Sequence, residues 1–425
     1  MLLLAYLLGS IPSAVWIGKK YYGIDIREHG SKNAGTTNML RVLGKRAAIP
    51  VFILDFFKGS LSSREVAEAV ARGVNSVLPQ CEIRCVSIAD GGEGTVEALV
   101  HTLRGEVVDV EVADPLMRRI VARYGVVDGG TTAVMEMAAA SGLPLLSEEE
   151  RNPLKTTTYG TGEMIADALG RGCRKILMGI GGSATNDAGV GMMQALGFRF
   201  YDAVGEELSG GGEILSRIAT IDDSGVMPQL REAEITVACD VTNPLYGDEG
   251  AAYVYAPQKG ADRAMVEQLD RGLRNFAEVV RRHNGEDIAS LAGAGAAGGL
   301  GGGFKALIGA NLERGVDMVL RAIRFDDIVR GSDLVITGEG RIDRQTVMGK
   351  APSGVLRVAQ SHNIPVIAIG GAVEMCEELE QSAFVAILPV VAGPIALERA
   401  MQCDVAAANV ERTACQIARI ITRKI

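Results

Sequence analysis

Short apolar runs in this sequence repeatedly break into glycine and acidic residues, with helix-like stretches following. EIRCVSI (82–88) leads into Asp90-Gly91-Gly92-Glu93-Gly94-Thr95, and RKILMGI (174–180) into Gly181-Gly182-Ser183-Ala184-Thr185-Asn186-Asp187. EITVACD (234–240) ends in an acid, and DLVIT (333–337) leads into Gly338-Glu339-Gly340-Arg341. Short apolar runs bounded by such breaks read as buried strands. The glycines permit left-handed turns and close backbone approach. Strands alternating with helices make an α/β chain, and ligands of open α/β sheets gather at the carboxyl ends of strands. One composite site built from these loops is therefore expected.

Other elements fill the frame. VFIL (51–54) reads as a strand, 63–78 as an amphipathic helix with Ser62 as N-cap, and 107–127 as a hairpin. Residues 293–303 read as a Gly-rich loop, 365–371 and 384–390 as strands, and 404–421 as the closing helix. A length of 425 residues predicts two or three domains. Residues 1–18 are apolar and uncharged, with Lys19 and Lys20 next, near the lower limit for a spanning helix with its basic loop in the cytoplasm. Residues 1–61 carry eight Lys or Arg against three Asp or Glu, net +5; the whole chain is −9, so the rest carries −14. An acidic body argues against nucleic acid as a partner. Seven scattered Cys and four His outside any motif suggest neither a zinc site nor a disulfide framework.

Chemistry-bearing residues cluster at the breaks. Gly181, Gly182 and Ser183, ahead of a helix carrying Asn186 and Asp187, suit a phosphate, although a plain capped connection has the same look. Asp90, Gly91, Gly92 and Glu93 suit magnesium or a general base, or form a solvated turn. Gly338, Glu339, Gly340, Arg341, Asp343, Gln345 and Lys350 offer anion ligands and acids in one stretch that is otherwise a charged loop. Lys58, Gln258 and Lys259, with Asp240 and Asn243, complete the polar set; each alone is weak, because Lys is usually a surface residue. No GxxxxGK[ST] loop is present. The residues alone point to an α/β enzyme acting on an anionic, phosphorylated ligand.

DFFKGSLSSREVAEAV (55–70), ADGGEGTVEAL (89–99), EMAAASGL (136–143), GTGEMI (160–165) and GIGGSATNDAGVGMMQALG (179–197) resemble the type I glycerate kinases. So do ACDVTNPLYGDEGA (238–251), APQKGA (256–261), GAGAAGGLGGG (293–303) and LVITGEGRIDRQTVMGKAPSGV (334–355), in order from about 48 to 425. The resemblance implies transfer of the ATP γ-phosphoryl group to D-glycerate, giving 2-phosphoglycerate, with Mg2+. It implies a flavodoxin-like three-layer domain (48–105 and 290–425) with a restriction-enzyme-like α/β domain (106–289) inserted. Asp187 or Asp90 would then serve as base or magnesium ligand, with Lys58 beside them. Lys58, Lys259 and Arg341 would hold substrate carboxylate or phosphates, and the backbone at Gly181–Ser183 and at Gly298–Gly301, Gly298 and Gly299 above all, would cradle phosphate. Two positions depart from the family pattern: Phe56 replaces a Ser, and Ala188 replaces a Gly, which matters only where position 188 needs positive φ.

The N-terminus resembles another family. LLAYLLGSIPSAVWIGK (3–19), IREHGSKNAGTTNMLRVLGKRA (26–47) and LDFFKG (54–59) look like the start of the bacterial membrane acyltransferase that acylates glycerol 3-phosphate. The likeness stops near residue 61, so residues 1–47 are expected to form an apolar helix and basic loop without acyltransferase activity. Ser10, Asn38 and Arg41 fall on that family's polar loop positions. The two likenesses meet at Asp55–Leu61, and a fusion there is expected. The expected enzyme has a cytoplasmic catalytic region, with membrane tethering through 1–18 as a further expectation. The alternatives are a chimera inactivated through Phe56 and a kinase of another small hydroxy acid.

Overall fold

The computed structural model describes residues 61–89, 91–92 and 94–422. They fall into two compact units, one of residues 89–323 and one joining 61–88 to 324–422. The apolar segment 1–18, the expected strand 51–54, Phe56, Lys58, Asp90 and Glu93 lie outside the described residues. Among the described residues no helix is long and apolar enough to cross a membrane.

The larger unit is built on a six-stranded sheet of order β1-β2-β3-β4-β7-β8. β1 (Glu106–Ala113) and β2 (Arg119–Val127) form the expected antiparallel hairpin, from Glu106↔Val126 to Ala113↔Arg119. Asp114 holds its turn by accepting from the N–H groups of Leu116 (2.8 Å) and Arg118 (2.9 Å). β3 (Thr132–Glu136) pairs antiparallel with β2. β4 (Lys175–Gly179), β7 (Glu234–Ala238) and β8 (Asn311–Glu313) continue the sheet in parallel. β5 (Arg199–Tyr201) and β6 (Thr220–Asp222) form a separate antiparallel pair. Parallel strands are covered on both faces, so they read as unbroken apolar runs. Ile176, Met178, Ile235 and Val237 are accordingly buried in one core with Ile165 and Leu169 of helix Tyr159–Gly170 and Leu269, Leu273 and Phe276 of helix Arg263–Asn284. Asp262 caps that long helix by accepting from the Met265 N–H at 2.8 Å, and Gly285 ends it at φ 85°.

The smaller unit holds a parallel three-stranded sheet of order β11-β10-β9, from β9 (Val335–Ile342), β10 (Val366–Val373) and β11 (Ala386–Pro389). Helix Ser63–Asn75 starts at the expected cap, where Ser62 and Glu65 cap each other reciprocally. Its Ala69 packs with Ile367, Ile369, Val410 and Ile417, so it lies against the closing helix Cys403–Thr422.

Two expectations change. EIRCVSI (82–88) alternates like a strand, but no described residue pairs with it, and alternation makes a strand only where a neighbour supplies the ladder. Gly338–Arg341 is strand rather than loop, because β10 runs beside β9 as far as Val373↔Ile342. Residues 89–105 and 290–323 cluster with the larger unit, which spans 89–323. Helix Thr95–Thr102 lies against β2, where Val100 fills the space a side chain at Gly125 would need, and β8 extends the sheet from β7.

Candidate active site

In the larger unit the parallel strands end level, with Glu136, Gly179 and Ala238 side by side. Gly91 settles on that edge at φ 86°. A Cβ there would stand 2.6 Å from Gly315 Cα and 2.7 Å from Ala238 Cβ, so only glycine fits. The Gly92 carbonyl accepts from the Thr95 hydroxyl at 2.7 Å. Two acids at the edge cap helices: Glu136 accepts from the Val96 N–H, and Asp240, exposed, from the Gly315 N–H, both at 3.0 Å. Asn243 is committed to its own loop, donating to the Glu249 carbonyl (2.8 Å) and accepting from the Tyr255 hydroxyl (2.6 Å).

The loop after β4 begins exposed and then turns inward. Gly181 and Gly182 are open to solvent, Gly182 at φ 72° and Gly181 with no neighbour where a Cβ would project. Ser183 through Asp187 are buried. Asp187 Oδ2 accepts from the Thr158 N–H and hydroxyl (2.8 Å each) and the Gly191 N–H (3.2 Å), while Oδ1 accepts from the Gly189 N–H (3.2 Å). Burial pushes its pKa up, against the pull of those donors. The carboxylate therefore ties two helix starts together from inside. Lys259 is equally enclosed, 1% exposed, and its Nζ donates to Ser183 Oγ (3.0 Å) and the Thr185 carbonyl (2.5 Å). Asn186 has neither side-chain atom hydrogen-bonded, and Gln258 Oε1 and Arg151 Nε are likewise buried without a bond.

Gly298 and Gly299 serve backbone packing. A Cβ on Gly298 would come within 2.1 Å of the Thr185 carbonyl, and Ala188 N–H donates to the Gly298 carbonyl at 3.1 Å. Ala188 itself sits at φ 52°, so the departure from glycine falls where positive φ is required.

In the smaller unit a charged cluster follows β9. Arg341 pairs with Glu374 (2.5 Å) and Asp343 (3.4 Å), and Lys350 pairs with Glu339 (3.4 Å), which also accepts from the Thr346 hydroxyl. Asp343 caps the next turn by accepting from the Gln345 N–H at 2.9 Å. Burial raises the Glu339 pKa, with Lys350 opposing.

Each set is assembled within its own unit: Gly91, Gly92, Gly181, Gly182, Ser183, Asn186, Asp187, Asp240, Asn243, Gln258, Lys259, Gly298 and Gly299 in the larger, Gly338 to Lys350 in the smaller. Sequence reasoning missed Glu136, the buried run Thr156–Thr158 and Arg151. The consecutive threonines were a usable signal, since a polar run that carries no turn residues invites a burial explanation. Arg151, in a plain polar loop, gave none.

Glycine-rich loops at the ends of parallel strands make this an α/β enzyme fold suited to an anionic ligand, and a family model described as "Glycerate kinase family" matches residues 50–422. The chain belongs to that family. A glycerate kinase of Bacillus subtilis is 48% identical over 86% of this chain and 96% of its own length. Glycerate 2-kinase of Escherichia coli is 47% identical over 75% of this chain and 84% of its own. A crystal structure from Salmonella typhimurium LT2, provisionally named glycerate kinase 2, superposes with a TM-score of 0.78 at 46% identity, covering 85% of this chain and 95% of that one. A second family model, glycerol-3-phosphate acyltransferase, matches residues 1–87.

Proposed function

We propose that this chain is an ATP-dependent glycerate kinase that phosphorylates D-glycerate at its C2 hydroxyl to give 2-phosphoglycerate. The observation that carries this reading is the family match across 50–422 together with relatives of that name aligned over nearly their whole length. The substrate hydroxyl attacks the γ-phosphorus in line, and the protein contributes alignment, charge neutralisation and a base. The exposed backbone of Gly181 and Gly182 suits an approaching phosphate. Lys259 stiffens the loop behind it through Ser183 and Thr185.

Of the two carboxylates considered for base or metal, we assign Asp187 a positioning role, because its oxygens are enclosed and already accept four close hydrogen bonds. Asp90, outside the described residues, keeps the role of base. For Mg2+, a hard cation that takes carboxylate oxygen and phosphate, the exposed Asp240 at the end of β7 fits and Asp187 does not. Mg2+ bound there would neutralise phosphate charge; among the described residues no group of three or more His, Cys, Asp or Glu forms a fuller site. We read the smaller unit as the flavodoxin-like domain and the larger as the inserted one, supported by the parallel sheet β11-β10-β9 in the first and the larger unit's continuous span of chain.

The test is Mg2+-dependent ADP release from ATP with D-glycerate, with enolase added to consume 2-phosphoglycerate. Turnover with enolase-competent product supports the reading. Turnover on another hydroxy acid alone, or ATP binding without turnover, replaces it with one of the two alternatives, the second of which follows from Phe56.

A further inference from the structure

Arg151 is half-buried and makes no hydrogen bond or ion pair among the described residues. Arg174, the other half-buried arginine of the larger unit, is paired with Glu232 at 3.1 Å. The buried Nε leaves one donor of the guanidinium unsatisfied, and a planar cation with no counter-ion suits an anion. Its neighbourhood repeats the pattern. A Cβ on Gly260 would meet the Arg151 carbonyl oxygen at 2.2 Å and its Cβ at 2.9 Å, so Arg151 lies directly against the 257–260 turn. A Cβ on Gly212 would meet the Pro153 carbonyl at 2.6 Å and the Asn186 carbonyl at 2.7 Å. Thr156 donates to the Ala184 carbonyl at 2.9 Å, so segment 151–156 runs beside the loop after β4. Three adjoining segments thus each carry buried polar atoms without partners: Arg151 Nε, both ends of the Asn186 amide, and Gln258 Oε1.

We propose that Arg151 takes the carboxylate of the acceptor substrate, with Asn186 and Gln258 reading its hydroxyl groups. The donor set matches a small hydroxy acid: a planar cation for the carboxylate, an acceptor for one hydroxyl proton, and an amide that both donates and accepts. A phosphate-only ligand would leave Gln258 Oε1 facing another acceptor. Because these atoms are closed off from solvent, admission of the acid displaces the 257–260 turn, in which Gly260 stands at φ 95°. The assignment rests on the glycerate kinase reading above and specifies its acceptor subsite.

The experiment compares wild type, Arg151→Gln, Arg151→Lys and Gln258→Glu in full-length protein. Removing a charge-assisted carboxylate contact raises KM for D-glycerate at least about 30-fold in Arg151→Gln, with KM for ATP within about twofold and partial rescue in Arg151→Lys. Gln258→Glu sets a negative charge beside the acid and raises the same KM at least about tenfold. A glycerate KM within about threefold of wild type in Arg151→Gln overturns the assignment. Should that variant not fold, the same threshold applied to Gln258→Glu decides. Should wild type not turn over glycerate, thermal shift keeps the two readings apart. Stabilisation by D-glycerate and lactate but not by glycerol, lost in Arg151→Gln, upholds the carboxylate subsite while the kinase reading falls. No carboxylate shift in wild type, or an undiminished one in Arg151→Gln, overturns the subsite.

Discussion

Asp187 separates a positioning carboxylate from a catalytic one. Asp187→Ala leaves the N–H groups of Thr158, Gly189 and Gly191 and the Thr158 hydroxyl facing an empty site in the interior. A buried donor stripped of its partner costs about 1–3 kcal/mol, and donors to a charged group lie at the upper end. Removing the charge also relieves the desolvation of a fully buried carboxylate, worth several kcal/mol in the other direction. The orphaned donors, all of them neutral, outweigh that relief, and a net loss of about 2–4 kcal/mol is expected. Asp187→Asn keeps one acceptor but turns an NH2 toward an N–H donor, so about 2–3 kcal/mol is expected. Hydrogen exchange of peptides covering 157–161 and 188–193 is the assay, because the single tryptophan, Trp16, lies outside the described residues. Both variants should lose protection there, and kcat below the unfolding transition should fall in step. Asp187→Asn with protection within about 1 kcal/mol of wild type and kcat down at least about 100-fold would refute the positioning role and restore Asp187 as the base.

Gly298→Ala would drive a Cβ into the Thr185 carbonyl and Asn186 Cα at φ 75°, with backbone on both sides, so a loss above about 3 kcal/mol in thermal unfolding is expected. Ala188→Gly should change stability by less than about 1 kcal/mol: relief of about 1–2 kcal/mol of left-handed strain is offset by a lost buried methyl and a more flexible unfolded chain. A change beyond 2 kcal/mol either way in urea titration, about twice the margin, would contradict that balance. Gly73→Ala places a Cβ 2.2 Å from the Glu411 carbonyl and should lower exchange protection in 63–75 and 403–422, leaving 106–136 unchanged. Glu339 has its pKa raised above 4.5, chiefly by burial, so between 4.5 and the raised value the folded chain holds a proton the unfolded chain lacks. Stability relative to Glu339→Gln should therefore fall as pH rises through that window, and a flat difference curve in urea midpoints would exclude the shift.

What the sequence made legible follows from where its information is local. The hairpin at 106–127, the capped helix at Ser63 and the parallel strands at 175 and 234 all rest on periodicity and short-range caps, which need no tertiary partner to read. Residues 82–88 and 338–341 misled because strand status depends on the neighbour, and Gly338-Glu339-Gly340 carries loop residues along a register that β10 imposes. The site split the same way. Gly181 and Gly182 were readable as glycines after a strand, but the inward turn that buries Asn186, Asp187 and Lys259 is set by contacts with 157–158 and 298, remote in sequence. Arg151 was invisible for a sharper reason: its distinction is a missing partner, and absence of a counter-ion has no sequence signature.

The overlap of the two family matches, residues 50–87, can be resolved on physical grounds for its described part. An apolar helix in lipid has no need of one specific neighbour, whereas helix Ser63–Asn75 is fitted to one. Its face at Val66, Ala69, Val70 and Gly73 repeats at helical spacing, and the first three join the cluster that includes Val410 and Ile417. Gly73 lets the backbone approach Glu411 more closely than any side chain allows, and Arg72 pairs with Glu411 at 3.0 Å. Complementarity to a helix more than three hundred residues away, Cys403–Thr422, is a property of the kinase unit. The acyltransferase match over 61–87 therefore coincides with residues whose packing serves the glycerate kinase fold.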